Sequence, residues 1–115
     1  MGQYLILIYD NEQSREAAGN EAFQQRLKDH NTLHADRAES ILGANALQEG
    51  ATATSIRTDA GGEFTVTDGA FAETKEVLAG YYLIEAADLD EAITVAKEVP
   101  APYGGVEVRP IRDFH

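Results

Sequence analysis

The first half of the chain shows two successive patterns of hydrophobic and polar positions, one typical of a strand and one of a helix. Apolar residues run without interruption from 4 to 9, which predicts a strand buried on both faces. From about residue 14 to 42 the spacing changes to helical steps of three and four, with a break near Gly19 and with Gly43 at the end. One face of this predicted helix carries two histidines among apolar residues: Phe23, Leu27, His30, His34, Ala38 and Ile41.

The second half predicts four strands and one shorter helix. The strands share β-branched or alternating apolar residues and stand at 51–58, 63–67, 81–86 and 106–111. The turn Asp-Ala-Gly-Gly joins the first two of them into a β-hairpin. Asp88 and Glu91 form a capping box at the start of the helix, and Pro100 ends it.

The predicted element order is β–α–β–β–β–α–β within a single domain of residues 1–115. Its simplest packing is a ferredoxin-like α+β fold: a four-stranded antiparallel sheet with both helices on one face and an extra β-hairpin in the middle of the chain. The opposite face of such a sheet stays open to water although it carries apolar residues. Because a contiguous apolar patch commonly marks an interface, we expect a two-fold homodimer that stacks sheet on sheet.

Composition and charge narrow the function classes. The 115 residues include 20 acidic and 9 basic side chains, which give a formal net charge of −11. This balance argues against nucleic acid and against anionic membranes as partners, because binding to both relies on Lys and Arg. The sequence has no cysteine, which excludes disulfides, thiolate nucleophiles and Cys-ligated metals. The apolar run at 4–9 is too short for a membrane span or a signal peptide, so a cytoplasmic location is expected.

One segment resembles the signature of a known family. Residues 66–76 read V-T-D-G-A-F-A-E-T-K-E and are followed by L-A-G-Y-Y-L-I-E-A at 78–86. This segment resembles the DGPF branch of the YCII-related family, with Ala70 standing where that branch has proline. The final V-E-V-R-P-I at 106–111 is also similar to the last strand of that family.

The resemblance implies a dimeric α+β barrel with a cleft that holds a small molecule. Distant relatives include a muconolactone isomerase and a dehydrochlorinase, and some family members are fused to, or encoded beside, extracytoplasmic-function sigma factors. Two hypotheses follow. The protein is either an isomerase- or lyase-like enzyme that transfers a proton with a His/Asp pair, or a non-enzymatic sensor or partner protein, for instance of a sigma factor. No cofactor is expected, because the sequence contains no nucleotide- or phosphate-binding motif.

The segment that follows the hairpin is the first candidate site. Asp68 stands beside a glycine there, and Phe71, Glu73 and Lys75 follow closely. A carboxylate near a lysine and an aromatic ring suits acid–base catalysis or binding of a polar ligand. The alternative is that Asp68 only caps its own turn.

The histidine pair is the second candidate site. His30 and His34 are four residues apart, so a helix places both on one face, and histidine titrates near neutral pH. The resemblance implies that a helix-borne histidine pairs with an aspartate, and either histidine could be the one. We therefore predict that Asp68 and at least one histidine line the same cleft. A metal is not expected, because no third ligand stands at a suitable spacing; a purely structural role for the histidines is the alternative.

Two tyrosines and an aspartate complete the candidate ligand-binding residues. Tyr81 and Tyr82 are consecutive in a predicted strand, so they point to opposite faces, one beneath the helices and one on the open face. Asp10 directly follows the first predicted strand. A phenol or a carboxylate at these positions can reach a ligand; packing in the core or an interface is the alternative for the tyrosines.

Overall fold

Six strands and two α-helices make up the regular structure of residues 1–71 and 75–114, which are the residues described by a computed structural model. In chain order these elements are β1 (Gly2–Asp10), α1 (Glu12–Asp36), β2 (Ile41–Ala46), β3 (Thr54–Thr58), β4 (Phe64–Asp68), β5 (Val77–Ala86), α2 (Leu89–Ala96) and β6 (Gly104–Pro110). One turn of 3₁₀ helix (Gly50–Thr52) precedes β3. Within the described ranges, no helix is long and apolar enough to cross a membrane. The protein has a mixed α+β fold.

The main sheet has four antiparallel strands in the order β2-β5-β1-β6. Ile6, in the middle of β1, pairs with Tyr82 on one side and with Val108 on the other. The two central strands are apolar at nearly every position, but the prediction that residues 4–9 are buried on both faces holds for one face only: Ile6 is buried, whereas Leu5 and Leu7 have intermediate burial.

The hydrophobic core lies between this sheet and the two helices. Its buried side chains come from both central strands and both helices: Ile6, Leu33, Tyr82, Ile84, Ala86, Ala92, Val95, Ala96 and Val99. Both helices therefore bury residues on the same face of the sheet.

Helix α2 begins at the predicted capping box. The backbone N–H of Glu91 donates to Asp88 Oδ1 at 2.9 Å, and Glu91 Oε2 accepts a hydrogen bond from the backbone N–H of Ala87 at 3.2 Å. These bonds satisfy N–H groups around the helix start, where intrahelical acceptors are missing. The helix ends at Ala96, and Val99 is buried in the turn that follows.

The prediction that the first helix continues to residue 42 was wrong. Helix α1 ends at Asp36, and Ile41–Ala46 form strand β2, which pairs with β5 from Ile84 to Gly80. Residues such as Gly43 and Ala44 have low strand propensity, so the local sequence does not show the strand. Its backbone groups instead pair with those of β5, and β2 supplies the fourth strand of the sheet.

The predicted hairpin is confirmed, as a separate two-stranded sheet of β3 and β4. Asp59 Oδ1 accepts hydrogen bonds from the backbone N–H groups of Gly61 and Glu63 at 2.8 and 3.0 Å and so stabilises the turn. Large apolar side chains on the hairpin are exposed: Ile56, Phe64 and Val66. The radius of gyration is 16.2 Å, against about 13 Å for a compact domain of this length. The chain therefore has a more extended shape than one compact core would give.

The second face of the main sheet is apolar and partly exposed. Leu5 pairs with Leu83, Leu7 pairs with Tyr81, and all four residues have intermediate burial. Because side chains alternate along a strand, these residues point away from the face that buries Ile6. The apolar second face expected from the sequence is thus present.

Candidate functional site

A cleft of about 930 Å³ opens between α1 and the sheet. Its walls come from the inner face of α1, the ends of β1, β2 and β5, and the segment at 100–102 that precedes β6. The lining includes apolar side chains, two histidines and a tyrosine: Ile8, Phe23, Leu27, His30, His34 and Tyr82. The cleft is therefore large enough, and chemically mixed enough, for a small organic molecule.

The helical stripe predicted from the sequence faces this cleft. Phe23, Leu27, His30 and His34 all line it. Phe23 and Leu27 remain 44% and 43% exposed, whereas Leu33 is the buried residue of the helix. The stripe therefore forms a cavity wall instead of packing tightly against the sheet.

A kink divides α1 where the sequence predicts a break. Gly19 has φ 85° and ψ −177°, a conformation essentially confined to glycine, and it lies on the cleft wall. The N-terminal part begins at Asn11, whose side chain accepts a hydrogen bond from the backbone N–H of Ser14 at 2.9 Å. The kink separates this part of the helix from the part that carries the histidines.

His30 and Tyr82 form the central contact of the cleft. Nδ1 of His30 lies 2.6 Å from the Tyr82 hydroxyl oxygen, and the two rings are nearly parallel, at 12°. The His34 ring lies 5.3 Å from the Tyr82 ring, between centroids, at 47°. Both histidines thus border the same tyrosine, as their spacing of four residues along a helix allows.

Burial sets the protonation of this pair. It lowers the pKa of His30 below the usual 6.5, electrostatic interaction with Arg26 and with His34 lowers that pKa further, and interaction with Asp29 partly raises it. Burial also raises the pKa of Tyr82 above its usual 10.0. At neutral pH the hydrogen bond therefore joins an uncharged imidazole to an uncharged phenol.

Asp10 lies in the cleft wall and is held by Arg15. It is 9% exposed, and its Oδ2 accepts a hydrogen bond from Arg15 Nη1 at 2.8 Å. Nη2 of Arg15 also lies 3.8 Å from Glu12 Oε2 and 3.6 Å from Glu49 Oε1. This cluster ties the end of β1 to the first turn of α1 and to the segment after β2, so the Asp10 carboxylate is already engaged.

The two predicted tyrosines take different positions. Tyr82 is the one beneath α1 and is buried. Tyr81 belongs to the same stretch of β5 that forms part of the cleft wall, but its side chain is on the second face of the sheet, where its hydroxyl oxygen accepts a hydrogen bond from Asn45 Nδ2 at 2.8 Å. The alternation of faces separates them as expected for consecutive strand residues.

Three of the predicted site residues, Asp68, Phe71 and Lys75, stand outside the cleft wall. Asp68 ends β4, and neither it nor Phe71 nor Lys75 lines the cleft; the ring of Phe71 instead packs under the Arg57 guanidinium, 4.5 Å from the ring centroid. Glu73 lies outside the described residues. The expected meeting of Asp68 with a histidine in one cleft is therefore not observed. Asp68 ends a strand of the separate β3-β4 sheet, whereas the sheet beneath α1 consists of β2, β5, β1 and β6.

Sequence reasoning missed two arginines of the cleft, Arg15 and Arg26. Arg26 stands one helical turn before His30, so extending the stripe by a step of four would have included it. Within residues 1–71 and 75–114, no three His, Asp or Glu side chains come together as metal ligands.

Comparison with protein-family models matches residues 2–115 to the YCII-related domain. The chain belongs to the YCII-related family. An uncharacterised protein of Rhizobium meliloti (strain 1021) is 36% identical to this YCII-related chain over 112 residues, which cover 94% of this chain and 90% of that protein. The similarity thus extends over the cleft residues as well as over the segment at 66–76.

Proposed function

We propose that this YCII-related protein binds a small organic molecule in the α1 cleft and transfers a proton with His30, as an isomerase- or lyase-like enzyme. The observation that carries this proposal is the 2.6 Å contact between His30 and Tyr82 on the cleft wall. An uncharged histidine in a cleft is a suitable general base, because its lone pair is free at neutral pH.

The hydrogen bond suggests a separate catalytic role for each of the two groups. When His30 Nδ1–H donates to the Tyr82 oxygen, Nε2 keeps a lone pair for a C–H proton of the substrate. The Tyr82 hydroxyl then donates to the carbonyl oxygen on which negative charge develops. Return of the proton from Nε2 to a different carbon completes an isomerisation. Tyr82 thus takes the place that the sequence-based hypothesis gave to Asp68, and His34 stands beside it as a second acid–base group.

Hydrogen–deuterium exchange tests this proposal. Small ketones, keto acids and lactones are incubated with the protein in D₂O, and loss of the C–H signal is followed by NMR. We expect catalysed exchange for at least one compound class, lowered by about 10²- to 10⁴-fold in His30→Gln. Lys28→Gln, an exposed change on the same helix that does not line the cleft, is the matched control and should leave exchange unchanged.

Two results would contradict the enzymatic proposal. Exchange that persists in His30→Gln would remove His30 as the base. Binding of these compounds without any exchange would favour the other hypothesis, a sensor or partner protein such as one acting with a sigma factor.

We further propose that the fold is ferredoxin-like, of the DGPF branch, and dimeric. The strand order β2-β5-β1-β6, with both helices on one face, supports the ferredoxin-like arrangement, with the hairpin inserted before β5. The motif at 66–76 supports the branch. The apolar second face of the sheet and the exposed apolar hairpin support a homodimer.

Light scattering at micromolar concentration tests the dimer. We expect twice the 12.5 kDa mass of one chain. Leu7→Lys, on the second face, should give the monomer, whereas Lys97→Ala, at the exposed end of α2, should not. A wild-type monomer would contradict this part of the proposal.

A further inference from the structure

We propose that Arg26 binds the carboxylate of the ligand, so that the protein acts on small organic acids. The inference rests on the proposed small-molecule cleft and specifies the chemical class of its ligand.

Arg26 is the cleft cation without an acidic partner. Its guanidinium carbon lies 5.5 Å from the centroid of the Phe23 ring and 5.7 Å from that of the Tyr103 ring. Among the described residues, its guanidinium makes no ion pair and no hydrogen bond. Arg15, the other arginine on the wall, contacts three carboxylates. The aromatic contacts orient the Arg26 guanidinium, while its N–H groups stay available for an acceptor.

The distribution of charge within the cleft favours an anion at this position. The wall near the start of α1 carries Glu16 and the carboxylates around Arg15, whereas the wall beyond the Gly19 kink carries Arg26 and the histidine pair. A chain of net charge −11 repels anions over most of its surface, so an anionic ligand needs a local cation. Arg26 provides that cation inside the cleft.

A carboxylate fits this position better than a phosphate. One planar guanidinium presents two parallel N–H donors that match the two oxygens of a carboxylate. A phosphate dianion usually draws on several cations or on a helix N-terminus, whereas the described lining beyond the Gly19 kink contributes a single arginine and no lysine.

The position of Arg26 also orients the acid toward the proposed base. Side chains four residues apart on a helix lie about 5–6 Å from each other at their Cβ atoms. An acid held by Arg26 therefore directs its carbon skeleton past His30 and Tyr82. The proton that His30 removes would then come from a carbon close to the carboxylate.

Matched probes test the inference. Benzoate and its uncharged amide, benzamide, share an apolar body and differ in the charge of the head group. Each is titrated into the full chain, and the ring signals of His30 and Tyr82 are followed by NMR. We expect benzoate to shift these signals and to bind at least about tenfold more tightly than benzamide.

Variants then assign the effect to one side chain. Arg26→Gln should weaken benzoate binding by about tenfold or more and leave benzamide unchanged. Arg26→Lys keeps the charge and loses the bidentate geometry, so its affinity for benzoate should lie between those of wild type and Arg26→Gln. Lys28→Gln, a charge loss of the same size outside the cleft, should bind benzoate like the wild type.

Two outcomes would overturn the inference. One is no benzoate-induced shift up to its solubility limit. The other is equal binding of benzoate and benzamide that Arg26→Gln leaves unaltered. Neither bears on the exchange experiment with ketones and lactones, so the proposed proton transfer and the proposed acid site can fail independently.

Discussion

Nδ1 of His30 lies 2.6 Å from the hydroxyl oxygen of Tyr82, a contact between α1 and β5 across 52 residues of sequence. The contact joins the helix to the sheet beside the only α1 side chain counted among the buried core residues, Leu33. The rest of the inner face of the helix borders the cleft. The pair therefore has a structural role, in holding α1 over β5, in addition to the chemical one proposed above.

This arrangement predicts a pH dependence of stability. The pKa of His30 is lowered in the folded protein, so between that value and the usual 6.5 the unfolded chain binds more protons than the folded one. The free energy of unfolding must therefore rise with pH through this window. The stability that His30 contributes is fully present above its pKa in the unfolded chain. It is lost as the pH falls toward the lower pKa of the folded protein.

Urea unfolding at about pH 7.5 and about pH 5.5 measures this effect. Wild type should lose more stability on acidification than His30→Gln does. Lys28→Gln, an exposed change on the same helix that does not contribute to the pKa shift of His30, is the matched control and should keep the wild-type dependence on pH. Identical pH dependence in wild type and His30→Gln would show that the pKa of His30 is not lowered by folding.

Arg15→Ala should destabilise the protein. It leaves the nearly buried Asp10 carboxylate without its cation and releases Glu12 and Glu49 to repel one another. Hydrogen bonds to charged groups contribute about 1.5–3 kcal/mol, so a loss in that range of the free energy of unfolding is expected. Denaturant titration measures it.

The matched control is Arg109→Ala. Its ion pair with Glu107 has side chains 67% and 43% exposed, and such pairs contribute at most about 1 kcal/mol. Equal losses for the two alanine variants would mean that the Arg15 cluster is as solvent-screened as a surface pair.

The two glycines at the start of β6 should respond differently to alanine. A Cβ on Gly104 would collide with the backbone oxygen of Tyr9, whereas a Cβ on Gly105 would meet no atom within 4 Å. Gly104→Ala should therefore force β6 away from the end of β1 and cost about 1–3 kcal/mol or more. Gly105→Ala should stay within about 0.5 kcal/mol of wild type. Thermal unfolding of both variants measures this difference in stability. Equal stability of the two variants would mean that β6 does not pair with β1 at this position.

Two elements of the sheet show how far the sequence determined this fold. The strand at 4–9 has an unbroken apolar run, so its central place could be predicted from residue types alone. Strand β2 could not be predicted in this way. Gly43 and Ala44 have low strand propensity, and the helical spacing that includes Ala38 and Ile41 extends into the start of this strand. It depends on pairing with β5, which is a property of the assembled fold.

The candidate site also has one feature that the sequence predicts and one that it does not. The spacing of His30 and His34 placed them correctly on one helix face, since that follows from helical geometry. The pairing of either with Asp68 was an inference about distant segments, and it depended on where the hairpin lies. Because β3 and β4 form their own sheet, Asp68 is not in the sheet beneath α1, and the hydrogen-bond partner of His30 is Tyr82, 52 residues away in the sequence.

Gly19→Ala reverses the usual effect of this substitution in a helix. Alanine normally stabilises a helix relative to glycine by about 0.5–1 kcal/mol, because it restricts the unfolded backbone. At Gly19, with φ 85° and ψ −177°, an alanine is strained although no atom lies within 4 Å of its Cβ. Strain in such a conformation costs about 1–3 kcal/mol, so the free energy of unfolding should fall.

Gly43→Ala is the control for this prediction, because Gly43 also has no atom within 4 Å of an added Cβ and its φ is not positive. It should change stability by less than about 0.5 kcal/mol. Because Gly19 lies on the cleft wall, between the acidic part and the histidine part of α1, straightening the helix there must also move one part relative to the other. The ring signals of His30 should therefore shift in Gly19→Ala and not in Gly43→Ala. A stabilised Gly19→Ala with unshifted signals would mean that α1 is continuous in solution.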